Sequence, residues 1–256
     1  VCLSLLCFAV TCYSQSQTAL HDNTLRRIHV PILMYHYIGA LPTNADVYRR
    51  DLTISTRLFR QHLQYFLEQN YTPISLYDLD AALRFGSPLP DKPIILTFDD
   101  GYIDHYTNVF PALTDFGFQA TFFVLTDFTD EQRSGYLNWS QIKEMAQAGH
   151  HIESHTKNHP DLRGRDTAFL TFQIAGSIQT LEHHNPQATT RMFSYPAGAY
   201  DDDTLEFMQT TDILRAVTTQ SGALHTTDNR YELPRLRITG GMTVAELDQL
   251  LKQHLP

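Results

Sequence analysis

Apolar runs that fit β-strands alternate along the chain with segments whose apolar residues recur at helical spacing. Runs rich in apolar and β-branched residues predict strands at residues 28–35, 93–98, 120–125, 151–154, 193–195 and 215–218. Apolar stripes and capping signals predict helices at residues 58–67, 75–85, 109–116, 140–149, 167–181, 202–209 and 243–255. We expect Ser75 and Ser140 to cap two of these helices. The alternation places the chain in the α/β class.

Repeated β-then-α units imply a parallel sheet with right-handed crossovers. The number of units in a chain of 256 residues favours a distorted, closed or nearly closed (β/α) barrel with mostly parallel strands. An open doubly wound sheet is the alternative. In both architectures, functional residues are expected beyond the C-terminal ends of the strands, because the loops that leave those ends build the site.

Composition narrows the classes of function. Hydrophobic residues make up 42% and charged residues 18% of the chain, which is typical of a globular protein. The net charge of −9 argues against binding nucleic acid or an anionic membrane through charge, and it is compatible with a neutral sugar polymer. No cysteine follows Cys12, so the predicted domain has neither a disulfide nor a thiol nucleophile.

The first residues resemble a targeting segment. Residues 1–10 are almost wholly apolar and are followed by small polar residues, as in the apolar core and exit of a secretory signal peptide. We therefore predict a truncated signal peptide or tether at 1–22, one domain at 23–256, and a secreted or cell-envelope location. A buried N-terminal strand is the alternative. Thr11-Cys12 partly fits a lipoprotein cleavage site, so a membrane anchor at this end stays open.

Two adjacent carboxylates end the predicted strand at 93–98. Asp99 and Asp100 stand in Thr97-Phe98-Asp99-Asp100-Gly101. Holding two acids together at the end of a core strand costs free energy unless a cation compensates. The motif therefore indicates a metal site, although Asp-Asp-Gly is also ordinary turn sequence.

A histidine pair follows the strand at 151–154. His155 and His159 lie in a tight loop ended by Pro160, and imidazole suits Zn²⁺ and similar ions. A surface pair in a chain with 13 histidines is the alternative. One carboxylate and two histidines would leave metal positions open for water and substrate.

Three further positions have both a structural and a chemical interpretation. His36 ends an apolar strand, where it is either a structural residue or a general acid. The Tyr195-Pro196-Ala197-Gly198 sequence is a turn that can aim a backbone N–H at an oxyanion. Arg235 lies in an alternating Arg and apolar run, and an inward Arg there can hold a carboxylate base.

Together, Thr-Phe-Asp-Asp-Gly and Ser-His-Thr-x-x-His resemble the polysaccharide deacetylases of the NodB-homology type, carbohydrate esterase family four. The similarity runs from about Pro31 to Ile238. Residues 31–36 and the later Phe-Ser-Tyr-Pro-x-Gly sequence resemble the corresponding segments of one branch of the family. That branch includes bacterial poly-N-acetylglucosamine deacetylases.

The resemblance implies a role for each motif residue. Asp99 would be the catalytic base and His36 the acid, and the backbone N–H of Ala197 would face the oxyanion. The metal ligands would be Asp100, His155 and His159, holding a divalent ion, first of all zinc, with cobalt, nickel, manganese or iron as alternatives. Many members have an aromatic residue at the Ala197 position.

Two positions fit the family pattern poorly. The family's usual arginine has no secure match, because Arg191 lies too far ahead of Tyr195-Pro196, so we favour Arg235 as the partner of Asp99. The family's late Leu-x-His acid motif also has no good match, since the nearby Leu224-His225 has the wrong spacing.

The resemblance thus implies a metal-dependent hydrolase that removes acetyl groups from an extracellular or cell-envelope polysaccharide or oligosaccharide. Two alternatives stay open at this point. One is hydrolysis of a small non-sugar amide at the same metal site. The other is a non-catalytic relative that only binds carbohydrate.

Overall fold

The computed structural model describes residues 24–185 and 189–255. The predicted signal segment at 1–22 lies outside these residues, so its prediction stays untested. Within the described chain, none of the helices combines the length and the apolarity that crossing a membrane requires.

The strands of the described chain are β1 (Arg27–His29), β2 (Ile32–Tyr35), β3 (Tyr37–Ile38), β4 (Thr53–Ile54), β5 (Thr72–Pro73), β6 (Pro93–Phe98), β7 (Thr121–Val124), β8 (His151–Ser154), β9 (Met192–Ser194), β10 (Arg215–Ser221), β11 (Leu224–Thr226) and β12 (Leu233–Arg237). The α-helices are α1 (Val47–Asp51), α2 (Thr56–Glu68), α3 (Leu76–Phe85), α4 (Phe110–Phe116), α5 (Thr126–Asp130), α6 (Trp139–Gln147), α7 (Thr167–Leu170), α8 (Gly176–His184), α9 (Asp202–Gln209) and α10 (Val244–His254). Two π-helical turns lie at His105–Val109 and Thr171–Ala175, and a 3₁₀ turn lies at Pro196–Gly198.

Seven parallel strands close into a barrel in the order β2, β12, β10, β9, β8, β7 and β6. The ring closes between β2 and β6, where Leu33 pairs with Leu96. The short β5 pairs with the first two residues of β6, Pro93 and Ile94. The predicted (β/α) barrel is therefore confirmed, and the closed ring excludes the open doubly wound sheet.

The strands contribute to two apolar layers because successive side chains point to opposite faces. The outer layer packs the strands against α2, α4, α6 and α10. The inner layer joins apolar residues of the barrel strands to α3, through Leu76, Leu79 and Leu83. Helix α3 thus fills the N-terminal end of the barrel, and the C-terminal end remains open for the site.

Pro31 divides the predicted strand at 28–35. Proline has no backbone N–H to donate to a ladder, so a strand breaks there or places proline at an edge. Before it, β1 pairs antiparallel with β11, where Ile28 faces His225. After it, β2 enters the barrel. The prediction of one continuous strand was wrong at this residue.

The structure also differs from the prediction at three helix boundaries. Asn138, and not Ser140, caps α6, because Asn138 and Gln141 exchange side-chain and backbone hydrogen bonds in a capping box. The predicted helix at 167–181 contains a π-helical turn and continues to His184. Val109 belongs to the first π-helical turn, so α4 begins at Phe110. Local periodicity does not resolve such turns, since they keep helical dihedral angles.

Candidate active site

A cavity of about 670 Å³ opens at the C-terminal ends of the barrel strands. It is lined by six of the seven predicted site residues: His36, Asp99, Asp100, His155, His159 and Ala197. The seventh, Arg235, lies behind Asp99 and is fully buried. Barrel closure therefore brings together motifs that lie far apart in the chain.

The two carboxylates separate at the end of β6. Asp99 continues the strand, and its N–H donates to the Tyr35 carbonyl at 3.0 Å. Asp100 leaves the strand at a positive φ of 76°, and Gly101 follows at 69°. A Cβ on Gly101 would lie 3.1 Å from the Val124 Cβ, so the turn needs glycine there. The tight turn lets the adjacent acids take different positions in the cavity.

Asp100 meets both histidines. Its Oδ1 lies 3.3 Å from His155 Nε2 and 3.5 Å from His159 Nε2. The ligand atoms of the three residues all lie within 4.8 Å of one another. The His155 Nδ1–H donates to the Ser194 carbonyl at 2.7 Å, which leaves its Nε2 lone pair free for a metal.

The loop after β8 turns the second histidine toward the first. Thr156 and His159 both have positive φ, at 73° and 63°. The Thr156 hydroxyl accepts the His159 N–H at 3.1 Å and closes the turn. The predicted tight loop after the strand is confirmed.

Electrostatics at this cluster favour positive charge. Burial raises the pKa of Asp100, but the hydrogen bond and charge of His155 lower it overall, well below its usual range. Burial lowers the pKa of His155, but Asp100 and Asp99 raise it overall. The three donors therefore suit a cation, and the nitrogen and oxygen donor set fits a divalent metal.

Asp99 has a different partner. Arg235 Nη1 donates to Asp99 Oδ1 at 2.8 Å, and Nη2 donates to Oδ2 at 2.6 Å. Such a bidentate pair fixes both the position and the plane of the carboxylate. Burial raises the pKa of Asp99, but the Arg235 guanidinium outweighs it and lowers the pKa to about 2. Asp99 is therefore ionised at neutral pH.

Every nitrogen of the Arg235 guanidinium has an acceptor. Nη1 and Nη2 donate to Asp99. In addition, Nε donates to the Thr218 carbonyl at 2.9 Å, and Nη1 donates to Thr97 Oγ1 at 3.1 Å. Nη2 also donates to Ser194 Oγ at 3.2 Å. This set of acceptors meets the requirement that a buried charge be fully hydrogen-bonded.

Ser194 links the base to a metal ligand. Its hydroxyl donates to Asp99 Oδ2 at 3.2 Å, and its carbonyl accepts from His155 Nδ1 at 2.7 Å. Sequence reasoning missed both Ser194 and Thr97. A signal existed for each, because a hydroxyl residue in an otherwise apolar barrel strand needs a buried partner.

His36 lies on the other side of the carboxylates, just beyond β2. The His105 Nε2–H, from the first π-helical turn, donates to the His36 carbonyl at 2.7 Å. Asp104 accepts the Ile38 N–H at 3.2 Å, so the residue before that turn holds the next backbone segment. Burial lowers the pKa of the His36 imidazole, although the charges of Asp100 and Asp99 oppose this shift.

Ala197 occupies the 3₁₀ turn after β9 with a positive φ of 52°. The N–H groups of Gly198 and Ala199 donate to the carbonyls of Tyr195 and Pro196, both at 2.9 Å. Among the described residues, no hydrogen bond uses the Ala197 N–H. This donor is therefore available at the edge of the cavity.

The residues that sequence reasoning set aside lie elsewhere. Arg191 pairs with Glu182 at 2.7 Å, and His225 Nε2 donates to the Val30 carbonyl near the N-terminal end of the barrel. Tyr102 lines the cavity, and Tyr37 stacks on it with ring centroids 3.7 Å apart. Phe128 and Tyr136 also line the cavity, and sequence reasoning had not considered them.

Comparisons with known proteins agree with this geometry. A family model described as polysaccharide deacetylase matches residues 86–215. The Bacillus subtilis protein YxkH, named as a putative polysaccharide deacetylase, is 30% identical over 229 residues, which cover 90% of this chain and 78% of YxkH. An Escherichia coli poly-beta-1,6-N-acetyl-D-glucosamine N-deacetylase is 32% identical over 124 residues, covering 43% of this chain and 18% of that protein.

A solved structure extends the likeness to the fold. The Streptococcus pyogenes deacetylase PplD, solved in complex with acetate, is 31% identical with a TM-score of 0.81. The match covers 88% of this chain and 99% of PplD. His36 and Arg235 lie outside the residues matched by the family model, so the fold, and not that match, brings them to the site.

Proposed function

Since the chain belongs to the polysaccharide deacetylase family, we propose that it is a metal-dependent hydrolase that removes acetyl groups from an N-acetylglucosamine polymer. One observation carries the proposal: the Asp100, His155 and His159 donor set shares a cavity with Asp99, which Arg235 keeps ionised. A base and a cation site in one cavity are what hydrolysis of an unreactive amide needs.

The metal site would be formed by Asp100, His155 and His159. A divalent ion there would supply Lewis-acid polarisation of the acetyl carbonyl and would acidify water. Two imidazoles and one carboxylate suit zinc, which is our first choice. Ser194 supports this role of His155, because its carbonyl fixes the imidazole tautomer.

Asp99 would act as the general base. Its carboxylate accepts a proton from the attacking water as the water oxygen bonds to the acetyl carbon. Arg235 holds the carboxylate by two hydrogen bonds, so Asp99 stays in place and ionised. The Ala197 N–H donates to the oxyanion that develops on the acetyl oxygen.

His36 would act as the general acid. An amine leaves only when its nitrogen gains a proton, so imidazolium at His36 donates that proton as the carbon–nitrogen bond breaks. The products are acetate and the free amino sugar. The proton on Asp99 then passes to solvent, and His36 takes up another, which restores the starting state.

The substrate class follows from the relatives and from the cavity wall. Relatives are named for poly-beta-1,6-N-acetyl-D-glucosamine and for chitooligosaccharides. The rings of Tyr102, Phe128 and Tyr136 give the cavity an aromatic side, which suits the apolar face of a sugar. We propose that the enzyme acts on such a glycan outside the cytoplasm, in keeping with the predicted signal segment.

Acetate release tests the proposal. The protein is stripped with a chelator, reloaded with Zn²⁺, Co²⁺ or no metal, and incubated with N-acetylglucosamine oligomers, peptidoglycan or acetylated xylan. We expect acetate from an N-acetylglucosamine polymer after reloading and none from the stripped protein. Acetate release that is insensitive to the chelator would overturn metal dependence. Release from none of these substrates would overturn the deacetylase function.

A further inference from the structure

The short helix α1 stands at the mouth of the catalytic cavity without a core contact of its own. None of its five residues is buried. Its two apolar residues, Val47 and Tyr48, are 71% and 74% exposed. Apolar residues of a surface helix normally face the core, where their burial stabilises the fold. Folding therefore gives no reason for an aromatic residue at this position.

Polar contacts nevertheless hold α1 firmly. Asp46 caps the helix by accepting the Arg49 N–H at 2.7 Å, and the Thr53 hydroxyl donates to the Arg49 carbonyl at 2.6 Å. The Arg49 guanidinium lies 3.1 Å from the centre of the Tyr37 ring. Since Tyr37 stacks on the cavity residue Tyr102, this contact ties α1 to the cavity wall.

The last residue of β12 and the segment after it hold the other end of α1. The Gly240 N–H donates to the Asp51 carbonyl at 2.6 Å, and Arg237 forms an ion pair with the Asp51 side chain. A Cβ on Gly240 would lie 1.8 Å from the Arg50 carbonyl oxygen, so only glycine permits this approach. The helix is thus a fixed support that presents Val47 and Tyr48 to solvent.

Of the exposed pair, Tyr48 is continuous with the catalytic site. Tyr48 and Leu52 line the same cavity as Asp99 and Asp100. A polymer that places one acetylated sugar at these carboxylates must continue along the surface at the cavity mouth. An aromatic ring fixed there offers a flat apolar face of the kind that packs against the C–H face of a sugar ring.

We propose that Tyr48, called here the α1 platform, binds a second sugar residue of the polysaccharide whose acetyl group is being removed. The proposal rests on the proposed function and deepens it, because it makes α1 a determinant of chain-length preference. Tyr48 lines the catalytic cavity, so a glycan held at Asp99 and Asp100 must pass it, which favours the glycan over a membrane as the occupant.

The test compares kcat/KM for acetate release from short and long N-acetylglucosamine oligomers. In the wild-type holoenzyme, kcat/KM should rise with oligomer length. In Tyr48→Ala, we expect this rise to shrink about tenfold, which corresponds to the loss of one aromatic contact. Tyr48→Trp should retain the rise, since its ring offers the same kind of face. Phe172→Ala, at a 54% exposed aromatic residue outside the cavity, is the matched control and should behave as wild type.

The outcomes separate the two proposals. If wild type releases acetate and Tyr48→Ala keeps the full dependence on length, the platform proposal is wrong and the deacetylase function stands. The platform proposal is equally wrong if wild type shows no length dependence. In another outcome, wild type sediments with phosphatidylcholine vesicles while Tyr48→Ala does not. If Tyr48→Ala also keeps the full dependence on oligomer length, the platform is a membrane contact and not a sugar site. No acetate from any oligomer would overturn the function and the platform together.

Discussion

The two ends of the barrel each bury an arginine–aspartate pair, but they use it differently. At the N-terminal end, Arg215 Nε donates to Asp80 Oδ1 at 2.8 Å, and Arg84 reaches Asp80 Oδ2 at 3.3 Å. At the C-terminal end, Arg235 holds Asp99 through both carboxylate oxygens. One aspartate at the first end has two arginines, whereas the second end has two aspartates and one buried arginine.

This difference in charge distinguishes the end of the barrel with a structural ion pair from the end with the candidate active site. Asp80 lies on α3, which fills its end of the barrel, and Arg215 and Arg84 balance its negative charge within the protein. Among the described residues, Asp100 has only imidazoles within ion-pair distance, so the other end can accept a cation. A buried ion pair therefore indicates a functional site when an uncompensated charge lies beside it in an open cavity.

The largest effect should come from removing the base. Asp99→Asn keeps the size of the side chain but cannot accept a proton, so we expect kcat to fall about 10²- to 10⁴-fold. Metal content, measured by elemental analysis, should stay near the wild-type value because the ligand residues are intact. Asp115→Asn, in an exposed pair with Arg60, is the control. A variant with wild-type turnover would exclude Asp99 as the base.

The equivalent change at the other end should affect stability instead. Asp80→Asn leaves the buried Arg215 without its counter-charge, so we expect the free energy of unfolding to fall by about 3–5 kcal/mol. Urea denaturation measures this loss. Asp115→Asn should cost less than about 1 kcal/mol, since exposed pairs contribute little. Equal losses in the two variants would contradict the structural role of the Asp80 pair.

A smaller effect should follow from cutting the link between base and ligand. Ser194→Ala removes the hydroxyl that donates to Asp99 but keeps the carbonyl that accepts from His155. We expect kcat to fall about tenfold, a loss of about one hydrogen bond, with metal content unchanged. Ser177→Ala, which removes another buried hydroxyl outside the cavity, is the control. Loss of metal in Ser194→Ala would show that the residue acts through His155 instead.

The finest distinction at the open end of the barrel lies in the shape of its pH profile. Between about pH 5 and 8, Asp99 remains ionised because Arg235 keeps its pKa at about 2, so a change in rate there reports another group. A general acid must be protonated, so kcat/KM should fall as the pH rises through the pKa of His36, which burial lowers. His36→Ala should be slower and should lack this fall. An unchanged pH profile in the variant would return His36 to a structural role.

Much of the fold could be predicted from local pattern. The apolar runs of β6 and β7 and the capping box of α3 are encoded by neighbouring residues, and the structure has them close to the predicted bounds. Errors arose where local signals compete. Pro31 ends a strand that apolar periodicity alone would continue, and Asn138 precedes Ser140 as an equally good capping residue.

The candidate site could be predicted in part for the same reason. Asp99 and Asp100 lie in one short motif, and His155 and His159 lie in another, so their chemistry was visible locally. The position of α1 at the cavity mouth was not visible, because no periodic pattern marks a five-residue helix without buried residues. Ser194 was missed because its importance depends entirely on what lies opposite it in the barrel.

Neighbouring residues alone were enough to predict which side chains could bind a metal or carry a proton and which segments would alternate as strand and helix. The closed barrel makes Arg235, 136 positions from Asp99, its partner, and it lets Ser194 join Asp99 to His155. The physical reason is that side-chain type and local periodicity are properties of neighbouring residues. Contacts between distant strands exist only after β2 and β6 close the ring.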